Sequence, residues 1–456
     1  MKKITILLVG AFIVLTLSIG VLTGNQASAE GKSDYAKGEI LVKFKETVSP
    51  NEANEVHKRL GGRVEETIPG INVQVVSVNR GIGEAVSAYA RNRQVAYAEP
   101  NYIAHALESP NDFHFDKQWG MHNTGLDGGS EDADIDAPEA WDLTQGNPDI
   151  VIAILDTGID QNHEDLEAKL GLQENFTDSD TLDDRYGHGT HVAGIAAAIT
   201  NNNVGVAGVG YQASLMNVKV LGDNASGYYS WIASGMIWAA DKGADVINMS
   251  LGAGRKSITL EDAVNYAWDK GAVVVAAAGN SNNPSKTYPA YYSNCIAVAA
   301  TDNNDAKASF SSYGDWVDVA APGVNVYSTF PNHTYAIGKS LGYDYGNGTS
   351  MSTPHVAGIA ALVWATDLGT SNEAVRTQIE TTAEPIAGTG RYWIWGRVNA
   401  CDAVGGSCSG EPSPEPPPDD PTPEPPPEED DSACFRGVPD GKCHPVKDLP
   451  GCPDCL

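Results

Sequence analysis

Short apolar, β-rich runs alternate with helical stretches through the middle of the chain. Ile150–Leu155, Leu215–Leu221, Val246–Met249, Val273–Ala276 and the run from Asn294 to Ala300 are nearly continuous in apolar residues, the pattern of strands covered on both faces. Helices fit between them, at Ser230–Ala240 and Leu260–Lys270. This alternation predicts an α/β fold of three layers, a doubly wound and mostly parallel sheet, with ligands collecting at the carboxyl ends of the strands.

Ahead of that region the pattern is that of a small α+β unit. Glu39–Phe44 reads as a strand, Ser49-Pro50 opens a helix to Leu60 that Gly61-Gly62 stops, Val73–Val78 is a second strand, Gly83–Arg91 a second helix, and Val95-Ala96-Tyr97 leads out. Further upstream, Met1-Lys2-Lys3, an apolar run from Ile4 to Leu22 and Ala27-Ser28-Ala29 have the layout of an export signal over residues 1–29. A retained anchor is the alternative, since the run is long enough to span a bilayer. The module over 30–107 is placed like a propeptide, or like an N-terminal domain that stays attached; periodicity does not separate the two.

After this larger α/β region, 108–408, comes a stretch of Pro, Glu, Asp, Ser and Thr over 409–431 with nine acids and no base, an extended self-repelling linker. It tethers a tail, 432–456, that holds Cys434, Cys443, Cys452 and Cys455. Two disulfides are the expected staples of so short a segment, and a four-thiolate zinc site is the rival. Cys401 and Cys408 are expected to pair, and Cys295 to be a small core hydrophobe.

Charge narrows the partners. The 456 residues carry 29 Lys+Arg against 59 Asp+Glu, a net −30, of which −23 falls on residues 108–408. Such a chain repels phosphate backbones and anionic lipid, which argues against nucleic acid and, once the signal is removed, against a membrane. Excess carboxylate suits solubility or a hard cation such as Ca²⁺.

Three motifs carry chemistry. Asp156-Thr157-Gly158 ends a buried strand; an aspartic protease would need a second such triplet, and none occurs. Gly187-His188-Gly189-Thr190-His191 opens an Ala-rich helix, and the glutamate of a His-Glu-x-x-His zinc site is absent, so one catalytic imidazole, His188, is the reading, with His191 in a supporting or structural role. Gly348-Thr349-Ser350-Met351 precedes Pro354-His355, placing a hydroxyl at the positive end of a helix, with Pro354 expected in its first turn. An α/β-hydrolase would want Gly-x-Ser-x-Gly and the serine first in order; here Ser350 comes last.

In this Asp, His, Ser order the motifs resemble the three active-site signatures of the subtilases, the subtilisin-like serine proteases, and the likeness runs from about Asn111 to Ala400. The resemblance implies a secreted serine endopeptidase of broad specificity, a monomer acting on proteins and peptides, made as a self-processing pre-pro-enzyme whose propeptide inhibits it. Ser350 would be the nucleophile, His188 the base, Asp156 its orienting carboxylate and Asn280 the oxyanion-hole amide. Ala225, Ser226 and Gly227, with Ser250, Leu251 and Gly252, would hold the substrate as an added strand. Ala277, Ala278 and Gly279 would wall a P1 pocket without a charged base, favouring large apolar side chains, and Tyr229, Ile232 and Leu251 would form the P4 pocket. Calcium would be held by Asp112, Asp165 and Asn202 with carbonyls of Ile199, Val204 and Val206, and the acids Asp178, Asp180, Asp183 and Asp184 would offer a second ion a place. A catalytically silent scaffold is the competing reading, and the intact four-residue set argues against it.

Overall fold

A computed structural model of the chain describes residues 35–103, 109–125 and 128–408. The expected signal, the junction near Leu107-Glu108, the linker and the tail lie outside the described residues. The chain divides into two compact units, Met1–Ala106 and Leu107–Leu456.

The first unit runs β1 (Tyr35–Phe44), α1 (Pro50–Leu60), β2 (Gly62–Ile68), β3 (Val73–Val78), α2 (Ile82–Ala90), β4 (Val95–Tyr102), in an antiparallel sheet of order β2-β3-β1-β4. Helix α1 starts where the sequence places it: the Ser49 hydroxyl accepts from Glu52 N, the Glu52 carboxylate accepts from Ser49 N at 2.8 Å, and Pro50 loses no bond in the first turn. Gly61 ends it in the left-handed region at φ 71°, and the chain turns directly into β2, an edge strand whose mostly exposed residues gave no apolar run to read. Ile40, Val42, Val56, Val76 and Tyr89 form the core beneath.

In the second unit the elements are α3 (Ala137–Leu143), β5 (Val151–Asp156), β6 (Leu170–Asn175), α4 (His188–Ala197), β7 (Ser214–Lys219), α5 (Tyr229–Asp241), β8 (Val246–Met249), α6 (Ile258–Asp269), β9 (Val273–Ala277), β10 (Ile296–Thr301), β11 (Val319–Pro322), the hairpin β12 (Val326–Phe330) and β13 (Gly342–Gly346), α7 (Thr349–Trp364), α8 (Asn372–Thr381), β14 (Gly396–Arg397) and α9 (Ala400–Ala403). Eight strands pair in parallel in the order β14-β11-β10-β9-β8-β5-β7-β6. Alternate residues of one strand feed opposite cores. Ile152 and Ile154 pack with Val192, Ile195 and Ile359 from α4 and α7, while Ala153 and Leu155 pack with Ile232, Met236, Leu260 and Val264 from α5 and α6. Burial on both faces explains why these strands read as apolar runs.

Strand order reverses at β5, flanked by β7 on one side and β8 on the other. A crevice opens at the carboxyl ends of such a switch point, and the ends of β5, β8 and β9 deliver Asp156, Ser250 and the Gly279-Asn280 turn to one place. Among the described residues no helix is long and apolar enough to cross a membrane. Cys401 and Cys408 are disulfide-bonded, and Cys295 is a free, buried thiol just before β10.

Candidate active site

Asp156 is the last residue of β5 and wholly buried. Its Oδ1 accepts from Thr157 N at 2.7 Å and faces His188 Nδ1 at 2.8 Å. His188 begins α4 because the chain can pass there: Gly187 has φ 105°, and a Cβ on Gly189 would stand 2.1 Å from the Gly158 carbonyl, so the turn after β5 and the first turn of α4 touch backbone to backbone. Burial disfavours charge on His188, but the Asp156 carboxylate outweighs it and the net shift of the imidazole is upward. His191, one turn on, is wholly buried and packs on the Phe330 ring at 4.7 Å, and burial pushes it down to about 3, a neutral packing residue.

Asp184 ties this corner together, a role the sequence did not disclose. Wholly buried, it accepts from Thr157 Oγ1, Thr190 Oγ1 and Thr190 N at 2.8 Å each and from Gly187 N at 2.8 Å, satisfying orphan amides at the start of α4. Of the four acids expected to offer a second ion a place, three have partners within the protein. Asp184 caps, Asp180 pairs with Arg185 at 2.8 Å, and Asp183 faces His333 at 3.2 Å and accepts from Gln161 and Asp184 amides.

Ser350 is the second residue of α7, and Pro354 lies in the second turn, not the first. The Ser350 hydroxyl donates to the Ser250 carbonyl at 3.1 Å. A Ser350–His188 bond is not among the hydrogen bonds of the described residues; such bonds commonly tighten only with substrate in place. Asn280 Oδ1 accepts from Thr349 N at 2.9 Å and Thr349 Oγ1 at 3.0 Å, so its Nδ2 is the group left for the cleft.

Two adjoining pockets share Leu251, Gly252 and Ala253. One, about 290 Å³, holds Ser350 and Asn280 with Ala277, Gly279 and Thr287. Ala278, expected in its wall, is instead wholly buried in the core with its amide on Val298 O. Alternation along the strand that leads into the turn sends its side chain to the other face. Lys286 also lines it, with Asn283, Ser285 and Ser312, from a polar loop that carried no periodic signal. The other pocket, about 390 Å³, holds His188 and brings together Ala225, Ser226, Gly227, Tyr229, Ile232, Ser250 and Leu251 as expected, with Tyr186, Leu260 and Tyr288 added.

On a separate face, Asp112 and Asp165 converge on the 199–206 loop. Asp112 Oδ2 accepts from Asn201 N and Asp165 Oδ2 from Val206 N, both at 2.8 Å, and Asn202 Nδ2 donates to Asp165 Oδ1 at 2.8 Å. Ile199 N bonds the Asp165 carbonyl at 2.9 Å, and Asn202 Oδ1 accepts from Val204 N at 2.7 Å. Asp112 Oδ1 is buried with no partner, and burial raises Asp112 and lifts Asp165 to about 7. Two carboxylates this poorly solvated, one with an orphan oxygen, fit an oxygen-liganded cation.

Residues 147–407 match the family described as Peptidase S8, the subtilase family, and residues 22–101 match the fervidolysin N-terminal prodomain. The chain is 44% identical over 376 residues, 82% of its length and 88% of the relative's, to the thermophilic serine proteinase of Bacillus sp. (strain AK1). It is 54% identical over 271 residues to thermitase of Thermoactinomyces vulgaris, covering 59% of this chain and 93% of that one. Among solved structures, a protease from Pseudoalteromonas arctica is similar at a TM-score of 0.57 and 35% identity, over 65% of this chain and 99% of that one.

Proposed function

Since the chain belongs to the subtilase family and is a serine endopeptidase preceded by an N-terminal prodomain, we propose that Ser350, His188 and Asp156 are its catalytic triad and that Asn280 completes the oxyanion hole. The observation that carries this reading is the 2.8 Å bond from His188 Nδ1 to Asp156 Oδ1 beside the pocket of Ser350 and Asn280.

Ser350 Oγ attacks the scissile carbonyl carbon while His188 Nε2 takes the hydroxyl proton; the tetrahedral oxyanion lies against Asn280 Nδ2 and the Ser350 amide. His188 returns the proton to the departing amine, and water releases the acyl group by the same route. Asp156 fixes the tautomer and stabilises the imidazolium. Losing the Asn280 amide costs turnover about 10²–10³-fold. Substrate lies extended between Ala225–Gly227 and Ser250–Gly252, bonded through its backbone, which keeps specificity broad.

The precursor is exported by residues 1–29, folds with its prodomain as inhibitor, cleaves itself and is released as a monomer into the extracellular medium. Its apolar leader and small-residue cleavage pattern support export. Calcium is held by Asp112, Asp165 and Asn202 with the Ile199, Val204 and Val206 carbonyls; when bound it neutralises two buried carboxylates and locks the loop, and the orphan Asp112 Oδ1 supports it.

The test is digestion of a random peptide library by the purified protein beside its Ser350→Ala variant. The wild type matures and cleaves; the variant stays a precursor and does not. A variant that still removes its own prodomain rules out autocatalysis by Ser350.

A further inference from the structure

Pro354 has no amide hydrogen, so the helical bond to the carbonyl four residues back, that of Ser350, cannot form. That carbonyl accepts instead from Ser250 Oγ at 2.8 Å. Ser250 Oγ itself accepts from Asn248 Nδ2 at 3.1 Å, which commits its one proton to Ser350. In return Ser350 Oγ donates to the Ser250 carbonyl at 3.1 Å. The end of β8 and the first turn of α7 are thus joined by a reciprocal pair. Ser250 is 3% exposed and Asn248 wholly buried, so bulk water does not stand in for either partner.

We propose that Ser250, beyond offering backbone to substrate, is a positioning residue for the nucleophile. Its hydroxyl replaces the helical donor that Pro354 removes and thereby fixes the backbone of Ser350, whose amide and hydroxyl both enter the reaction. The neighbouring carbonyls need no such help: Thr349 O accepts from Thr353 Oγ1 and Met351 O faces His355 Nδ1, both at 2.8 Å. The inference rests on Ser350 being the nucleophile.

The test compares the full-length wild type with Ser250→Ala, Pro354→Ala and the double variant, reading kcat and KM on a chromogenic peptide and the rate of sulfonylation by phenylmethanesulfonyl fluoride. An unsatisfied carbonyl under the nucleophile lowers kcat and sulfonylation in Ser250→Ala by roughly tenfold, with KM within about twofold. In the double variant the Pro354→Ala change restores a backbone amide to the same carbonyl and most of the loss returns, while Pro354→Ala alone changes little. Wild-type rates in Ser250→Ala, or additive losses in the double variant, overturn the proposal. Should Ser250→Ala fail to mature, mature enzyme from the double variant supports it and its absence counts against it. A wild type inert to the sulfonyl fluoride strikes at Ser350 as nucleophile, a separate failure.

Discussion

His188 Nδ1 stands 2.8 Å from Asp156 Oδ1, the carboxylate wholly buried and the imidazole open to the cleft. Burial opposes charge on His188, yet the facing carboxylate prevails and holds the imidazole above its ordinary 6.5. A base must be neutral to act, so kcat/KM rises with pH through a midpoint above that value. Asp156→Asn removes the charge that lifts it. Turnover then falls about 10⁴-fold and the midpoint drops, both read from a pH–rate profile.

Asp184→Ala strips five donors around the start of α4 of their acceptor. Melting in a Ser350→Ala background, which removes self-digestion, falls by on the order of 3 kcal/mol. In the active background kcat drops as well, because Thr157 and Gly187 flank Asp156 and His188.

Excess chelator lowers the melting temperature, and added calcium restores it. Asp165→Asn melts near the chelated wild type and ignores calcium. An unchanged melting curve in chelator removes the cation from the account of Asp112 and Asp165.

His355, wholly buried in α7, is pushed down to about 4 by burial, against a smaller upward pull from its bond to Met351 O. The folded state therefore keeps it neutral while the unfolded chain takes up a proton below about 6.5. Stability is fully present above that pH and is lost as pH falls through 6.5 toward 4, on the order of 3 kcal/mol for this group. Denaturant melts of Ser350→Ala between pH 7 and 4.5 show the slope, and His355→Gln, which cannot protonate, makes it shallower, the buried His191 supplying a like share of what remains.

Strands whose two faces are buried announced themselves: Val246–Met249 matched to the residue, and β5, β7 and β9 to within one or two. Edges did not, since β2 and β6 carry exposed polar positions, and the hairpin β12–β13 lies among glycines and tyrosines with no clear period. Of the cleft, residues held in motifs or on element ends were legible, and Thr287, Lys286 and Tyr288 were not, because a loop's side chains find the site only through the fold. Asp184 looked like one acid in a cluster of four; only the approach of α4 to Gly158 shows that its oxygens are spent on that helix. Cys295 kept its expected place, and burial pushes its thiol up, out of reach of ordinary thiol chemistry.

The groove between Ala225–Gly227 and Ser250–Gly252 has a consequence for what counts as food. A peptide bonded there through its backbone must first surrender whatever helix or sheet those amides belonged to. With substrate held in that proposed mode, selection by foldedness would precede selection by sequence: slack, frayed and denatured chains are the expected substrates, and compact ones the expected survivors. Its own second unit, with a parallel sheet sealed under helices on both faces, sits on the spared side of that divide.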